Sequence, residues 1–463
     1  MQVLKQICKG LTLAVAALWL AACHSSSNNS ESFIRVVHAV SDAPRVNVYL
    51  DDAQVLSDFD FRSGTGVLAI DPGTYRVRVE AIVPGGNVDV IDVAAVEFAK
   101  DTQTTVYASG DVTDMSVAPL LVSDPVDPVA AGSARATVVH AAPNVVSQGV
   151  SEVAVFVTAP GADISASAPL GTFEFGDTLG PVEVPAGDYQ IRVAVVPGSG
   201  SYSNSDVVYD AGTVTLPEGA DLQLAAVINT TNGPSPASLI VLDGTGSSDL
   251  FDVGTGALVR VVHGSPDAPP VDVVVNNDFM PPAVVGAVYT DVTGFLGPLP
   301  AASYNFKVVP TMTMTAVIDA DAALDAGLAY TVIASDVLAN ITALILVDDN
   351  RRVATAAKLR IVHGSPAAGN VDIYLLAPGT LPSDSGVTPA FSDVPFGAET
   401  GFFDVAAGTY DVYVTPTGDN TTLAISATGI PLNGEGIYTA IAGDATGGGA
   451  PLQLILADDF TAG

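Results

Sequence analysis

From Phe33 onward apolar and polar residues alternate with period two over short runs, each broken by Gly, Pro, Asp or Asn. That is the pattern of strands joined by turns, and helical periodicity is nearly absent. The runs FIRVVHA, VNVYL, VLSDFDF, GVLAI, YRVRVEA, VDVIDVAAVEF, TTVYAS and APLLV follow one another before residue 123. Seven or eight short strands in about 100 residues predict a β-sandwich of antiparallel sheets.

The pattern then repeats. RVVHAVSDAPRVNVYL begins at Arg35, RVVHGSPDAPPVDVVV at Arg260 and RIVHGSPAAGNVDIYL at Arg360, and a more divergent version surrounds His140. Each is followed by a turn and a tyrosine strand: DPGTYRVRV, PAGDYQIRV, PAASYNFKV and AAGTYDVYV. Each unit closes on an apolar strand ending in aspartate: PLLVSD, SLIVLD, LILVDD and LILADD. The fold class expected is therefore all-β, with four tandem immunoglobulin-like or transthyretin-like sandwiches over 33–128, 129–250, 251–352 and 353–463. At about 100 to 120 residues each, they have the size of independent domains rather than solenoid repeats. Separate beads in line would reach on the order of 140 Å.

Strand period assigns faces. Tyr75, Val77 and Val79 share one face while Arg76, Arg78 and Glu80 take the other, and Tyr189, Tyr304 and Tyr410 keep the same register. An inward tyrosine after a Gly-containing turn can donate its hydroxyl to a loop carbonyl, as in a tyrosine corner. The histidines His38, His140, His263 and His363 all fall on the apolar face of their strand, beside pairs such as Ile34 and Val36. Each unit supplies this one histidine and no cysteine, too few ligands for zinc. No carboxylate partner recurs, because the position four residues on is Asp42, Asn144, Asp267 or Ala367. A ring that ties the following loop to the strand fits better than a catalyst, since imidazole can both donate and accept. Arg35, Arg135, Arg260, Arg360, Arg78, Arg192 and Lys307 also recur, and are expected to pair with carboxylates on outward faces.

No nucleophile elbow, zinc-binding HExxH, P-loop or dinucleotide fingerprint is present, so no enzyme is expected. Paired carboxylates could still serve hydrolysis, but none stands out by recurrence. No cofactor is expected. Calcium has only a thin case at IDADAALDAG (318–327), which lacks the loop glycine and final acid of a binding loop and reads as a solvated acidic turn. A formal net charge of −34, with 16 basic against 50 acidic residues, argues against nucleic acid as a partner.

The first 22 residues, with Lys5 and Lys9 ahead of a short apolar run, read as an export signal. Leu20-Ala21-Ala22-Cys23 resembles the lipobox of bacterial lipoproteins, which implies lipidation of Cys23 and a membrane partner through that lipid. His24 rather than aspartate after the cysteine implies, by the same resemblance, the outer membrane. Residues 23–32 are expected to be a flexible tether.

RVVHGSPDAPPVDVVV and the tyrosine strand resemble a family of tandem extracytoplasmic domains of unknown function common in bacterial lipoproteins. The resemblance covers nearly everything after the tether and implies a fold and an address but no chemistry. The expected role is a non-enzymatic surface protein that adheres to, scaffolds or captures an extracellular polymer or protein. An enzyme or accessory subunit acting on an envelope polymer, and a passive spacer, are the alternatives.

Overall fold

A computed structural model describes residues 31–143 and 152–458. The expected leader, Cys23, nearly all of the tether and Asn144 lie outside the described residues. In the first unit eight strands follow in order: β1 (Ser32–His38), β2 (Val46–Leu50), β3 (Ala53–Phe59), β4 (Leu68–Ile70), β5 (Gly73–Ala81), β6 (Val88–Phe98), β7 (Thr102–Ser109) and β8 (Ala118–Pro125). They form two sheets, β4-β1-β7-β8 and β3-β2-β5-β6. The other units repeat this order, and the second adds Ser247–Leu250 as a fifth strand of its first sheet. The protein is all-β and built of tandem sandwiches. Among the described residues no helix is long and apolar enough to cross a membrane.

One detail differs from a purely antiparallel sandwich. In every unit the leading strand, Ser32–His38, Ser133–His140, Ala257–His263 or Ala357–His363, runs parallel to a strand of its own sheet, Thr102–Ser109, Asp221–Ile228, Ala329–Ser335 or Ile437–Gly443. Long connections through the second sheet bring the chain back on the same heading, which a hairpin could not do.

Within the first unit the core lies between the sheets, where Ile34, Val36, Val48, Val77, Val79 and Phe98 are buried together. The period-two reading places these side chains inward. The opposite face of the leading strand, read from sequence as outward, is also covered. Val37, Ala39, Phe61, Tyr107 and Val122 pack against Val139, Ala225, Ile240 and Leu242 of the second unit. In the same way Val262, Tyr289, Ile333 and Leu346 pack against Val362, Ile441 and Ile455 of the fourth. The first sheets are thus buried on both sides, and the units do not stand as separate beads. They pair, first with second and third with fourth.

Burial of that second face corrects the placement of its cations. Arg78 and Lys307 do pair at the surface, with Asp89 and Asp319. Arg35, Arg260 and Arg360 instead sit at 1%, 2% and 0% exposure. Their counter-charges are the closing aspartates of the odd units. Asp348 accepts from Arg360 Nη2 at 2.5 Å and from the Thr331 hydroxyl at 2.7 Å, with Arg260 Nη2 at 4.0 Å. Asp124 lies 3.8 Å from Arg35 and accepts from Thr137 at 2.8 Å and from Gln223, which also receives the Tyr107 hydroxyl. Arg135, equally buried, is held by both oxygens of Asp221. Such pairs are costly to desolvate, so their contribution is to select one docking geometry rather than to add much net stability.

The two pairs also touch. Arg351, from the seam between the third and fourth units, donates to the Ala43 carbonyl at 2.5 Å and pairs with Asp60 at 2.5 Å, both in the first unit. Ala354 N donates to Asp42 O at 2.8 Å. These contacts fold the chain back on itself, against the line of beads expected from repeat length.

Candidate functional site

The most repeated chemistry-bearing residue in the chain is the leading-strand histidine. His38 Nε2 donates to the Pro44 carbonyl at 3.1 Å, and Nδ1 accepts from Val40 N–H at 3.3 Å. His363 repeats this with Gly369 O at 2.6 Å and Ser365 N–H at 3.4 Å. His263 Nε2 reaches Pro269 O at 3.2 Å. In each case the ring spans to the carbonyl six residues on, bridging the whole S-P-D-A-P type loop. A carbonyl can only accept, so Nε2 carries a proton in each, and at His38 and His363 the accepting Nδ1 makes the ring the neutral Nε2–H tautomer. The loop after His140 runs into residues outside the described set.

All four rings are buried. Burial, more than any neighbour, pushes His38 down to about 4, with the Arg351 guanidinium adding to the shift. His140 and His363 are lowered by burial as well. At His38 and His363 the ring is closed to solvent, favoured in its neutral form and committed at both nitrogens, and so is poorly placed to move protons for a substrate. Among the described residues no three His, Cys, Asp or Glu side chains gather to hold a metal. Asp319 and Asp321, from the segment considered for calcium, lie on a regular strand, Ile318–Leu324, rather than a turn. There they accept from Asn305, and Asp319 also from Lys307.

The shift has a consequence for stability. Because the folded protein resists protonating His38 while the unfolded chain takes a proton near 6.5, this residue's contribution is complete above about pH 6.5. It is lost as pH falls from about 6.5 towards 4, by about 3 kcal/mol in total. Urea unfolding at pH 7 and pH 4.5 should therefore show a larger loss for the native chain than for His38→Gln. Equal losses would show that His38 is not held neutral.

Sequence reading missed the partner of this histidine. An aromatic ring meets each imidazole edge-on: Phe61 at 6.2 Å, Phe175 at 6.5 Å, Tyr289 at 6.3 Å and Phe396 at 6.2 Å. The next residue is left-handed in all four units, Arg62, Gly176, Thr290 and Gly397, with φ of 64°, 91°, 78° and 80°. Its N–H then bonds the histidine carbonyl at 2.8–2.9 Å. Arg and the β-branched Thr adopt that backbone only under constraint, which the paired strand and ring supply. In three units a threonine four residues after the aromatic, Thr65, Thr293 or Thr400, accepts from a leading-strand N–H. Alignment of the units on aromatic-x-x-x-Thr would have revealed this clamp.

The tyrosines close the other end of the sandwich. Tyr75, Tyr189, Tyr304 and Tyr410 each donate to the carbonyl four residues back, Asp71, Pro185, Pro300 and Ala406, at 2.7–2.9 Å. Histidine peg and tyrosine corner together fix a loop at each end of the first, third and fourth units, leaving the intervening turns to vary. Cys23 lies outside the described residues.

Comparison with known proteins agrees with the repeat but adds no activity. A family model described as Domain of unknown function (DUF4397) matches residues 32–147 and 257–374. Each matched region begins at an odd unit's leading strand and runs past the leading strand of the unit it pairs with. No curated protein matches. Among solved structures, the Bacillus anthracis TIE protein aligns over 90% of this chain and 69% of its own at 12% identity, with a TM-score of 0.15. A product complex of SpuA, a multi-modular glycogen-degrading pneumococcal virulence factor, aligns over 85% and 37% at 10% identity, with a TM-score of 0.16. Superpositions that poor carry no functional weight.

Proposed function

The chain belongs to the DUF4397 family, a domain of unknown function, and from that premise we propose a lipid-anchored envelope protein that binds an extracellular polymer or protein without chemically altering it. The observation that carries this is the burial of the four recurring histidines. In the three units whose following loop is described, the ring is committed to holding that loop. What varies between units is the set of loops displayed, as in binding modules that present variable turns on a fixed sandwich. Pairing of units and the fold-back through Arg351 favour a compact binding head over a spacer, whose value would lie in length.

Anchoring would come from a diacylglycerol on Cys23, and the expected address is the bacterial outer membrane. The high negative charge suits a head kept soluble and clear of anionic surfaces. Metabolic labelling with a fatty-acid analogue, followed by membrane fractionation, tests the anchor: the native chain should label and float with outer membranes, and Cys23→Ala should do neither. Pull-down of envelope polysaccharide and protein fractions by the unlipidated chain tests binding. Recovery of a component in unaltered form is the expected result. A shortened or modified component, or none retained, would overturn the proposal.

A further inference from the structure

One cleft sets the second unit apart. It has a volume of about 570 Å³, in the range of small-molecule sites, and lies where the strand Val207–Leu216 meets the seam leading to the third unit. Arg192, Asn204, Asp210, Asp252 and Pro234 are among its lining residues.

Arg192 occupies the recurring cation position of the tyrosine strand. In the first and third units that cation is satisfied by a surface carboxylate, Asp89 or Asp319. Arg192 is instead 5% exposed and held by neutral groups: Nη2 donates to Thr158 Oγ1 at 2.7 Å and to the Ala162 carbonyl at 2.5 Å. Nη1 reaches Asn204 Oδ1 at 3.5 Å. Its Nε–H is buried without a partner. Close in sequence to the seam-side wall of Pro234 and Asp252, the Asn232 amide and the Thr255 hydroxyl are also buried without partners. Buried polar atoms left unpaired are rare and call for an explanation.

We infer that the cleft binds a neutral sugar unit of a glycan, an inference that rests on the binding role proposed above. Asp210 already accepts from Gln190 and Gly212 N–H, and Asp252 from the N–H groups of Asp210 and Gly254, but carboxylate oxygens keep further lone pairs, so a sugar hydroxyl can give to them while accepting from Arg192 Nε–H. Pro234 and Val208 offer apolar surface to its C–H face. An anion would meet two carboxylates against one guanidinium, and a simple cation would leave the Arg192 donor unpaired.

Saturation-transfer NMR and titration of the unlipidated full chain with maltose, cellobiose and N,N′-diacetylchitobiose test this, with galacturonate and putrescine as charged probes. At least one neutral disaccharide should bind in the millimolar range. Arg192→Lys, which keeps the charge but removes Nε–H, should weaken it about tenfold. Arg78→Lys at the equivalent position of the first unit should leave it unchanged. If Arg192→Lys fails to fold, Asp252→Asn replaces it, with a similar loss expected. Binding by none of the three sugars, binding only by a charged probe, or full affinity in a folded cleft variant would overturn the inference. Retention of an envelope component by a chain that fails these sugar tests would retire the cleft and leave the broader binding role standing.

Discussion

Asp348→Ala should destabilise the pair formed by the third and fourth units by about 3–5 kcal/mol, the usual cost of removing one partner from a buried ion pair. Asp348 has no exposed side-chain surface and stands between Arg360 and Arg260, one from each unit. Without it two guanidiniums are held near one another in a dry seam, with Glu399, 3.7 Å from Arg360, the remaining carboxylate beside that arginine. Asp243, which ends the corresponding strand run of the second unit, makes a useful control. Its carboxylate only caps the turn at Thr245 and Gly246, so Asp243→Ala should cost about 1 kcal/mol or less. Denaturant unfolding followed by circular dichroism measures both. Equal effects would mean that Asp348 is not the joint between two units.

Val362→Asp should be at least as damaging, above about 4 kcal/mol, because it places an unpaired carboxylate in an apolar seam. Val362 is fully buried among Val262, Tyr289, Ile333, Leu346, Ile441 and Ile455. It lies on the far side of its strand from the fourth unit's own core, where Leu359 and Ile361 point. The substitution therefore attacks the union of units before it attacks either sandwich. Calorimetry of the full chain should show one transition split into two, the fourth unit melting first. Val347→Asp, at a position 54% exposed on the neighbouring strand, should change little. A variant at Val362 that melts like the native chain would show that the seam does not couple the units.

Much of the single unit was legible in the sequence, and the reason is period two. Alternation along YRVRVEA fixes which residues face inward, and four copies of the histidine strand, tyrosine strand and closing strand delimit the units. What stayed hidden is how units meet. Arg35, Arg260 and Arg360 on the second face of the leading strand suggested solvent, since arginine is seldom buried. Yet that face also carries Val37 and Ala39, or Val262 and Gly264, or Val362 and Gly364, whereas the truly outward face of the first tyrosine strand carries Arg76, Arg78 and Glu80. Two apolar or small residues beside each arginine were the available signal. The partner carboxylate, Asp124 or Asp348, was visible only as a closing aspartate, because the groups around it are gathered by the docking of one unit on the next.

The candidate sites divide along the same line. The histidine's role followed from its face and from the lack of a constant partner, both of which are local. The aromatic clamp at Phe61, Phe175, Tyr289 and Phe396 lies in segments whose lengths differ between units, and so did not align with the repeat. The Arg192 cleft breaks the repeat instead of following it. It depends on Asn204, in the connection between Gly187–Val195 and Val207–Leu216, and on Asp252, in a seam. Comparison of repeats finds what the units share, and a site confined to one unit escapes it.

Small-angle X-ray scattering of the unlipidated chain tests most directly whether a leading strand buried on both faces joins the units into one body. Paired units closed by Arg351 predict a radius of gyration of about 25 Å, close to that of a compact chain of this length. A value near 40 Å, that of four beads in line, would contradict the pairing.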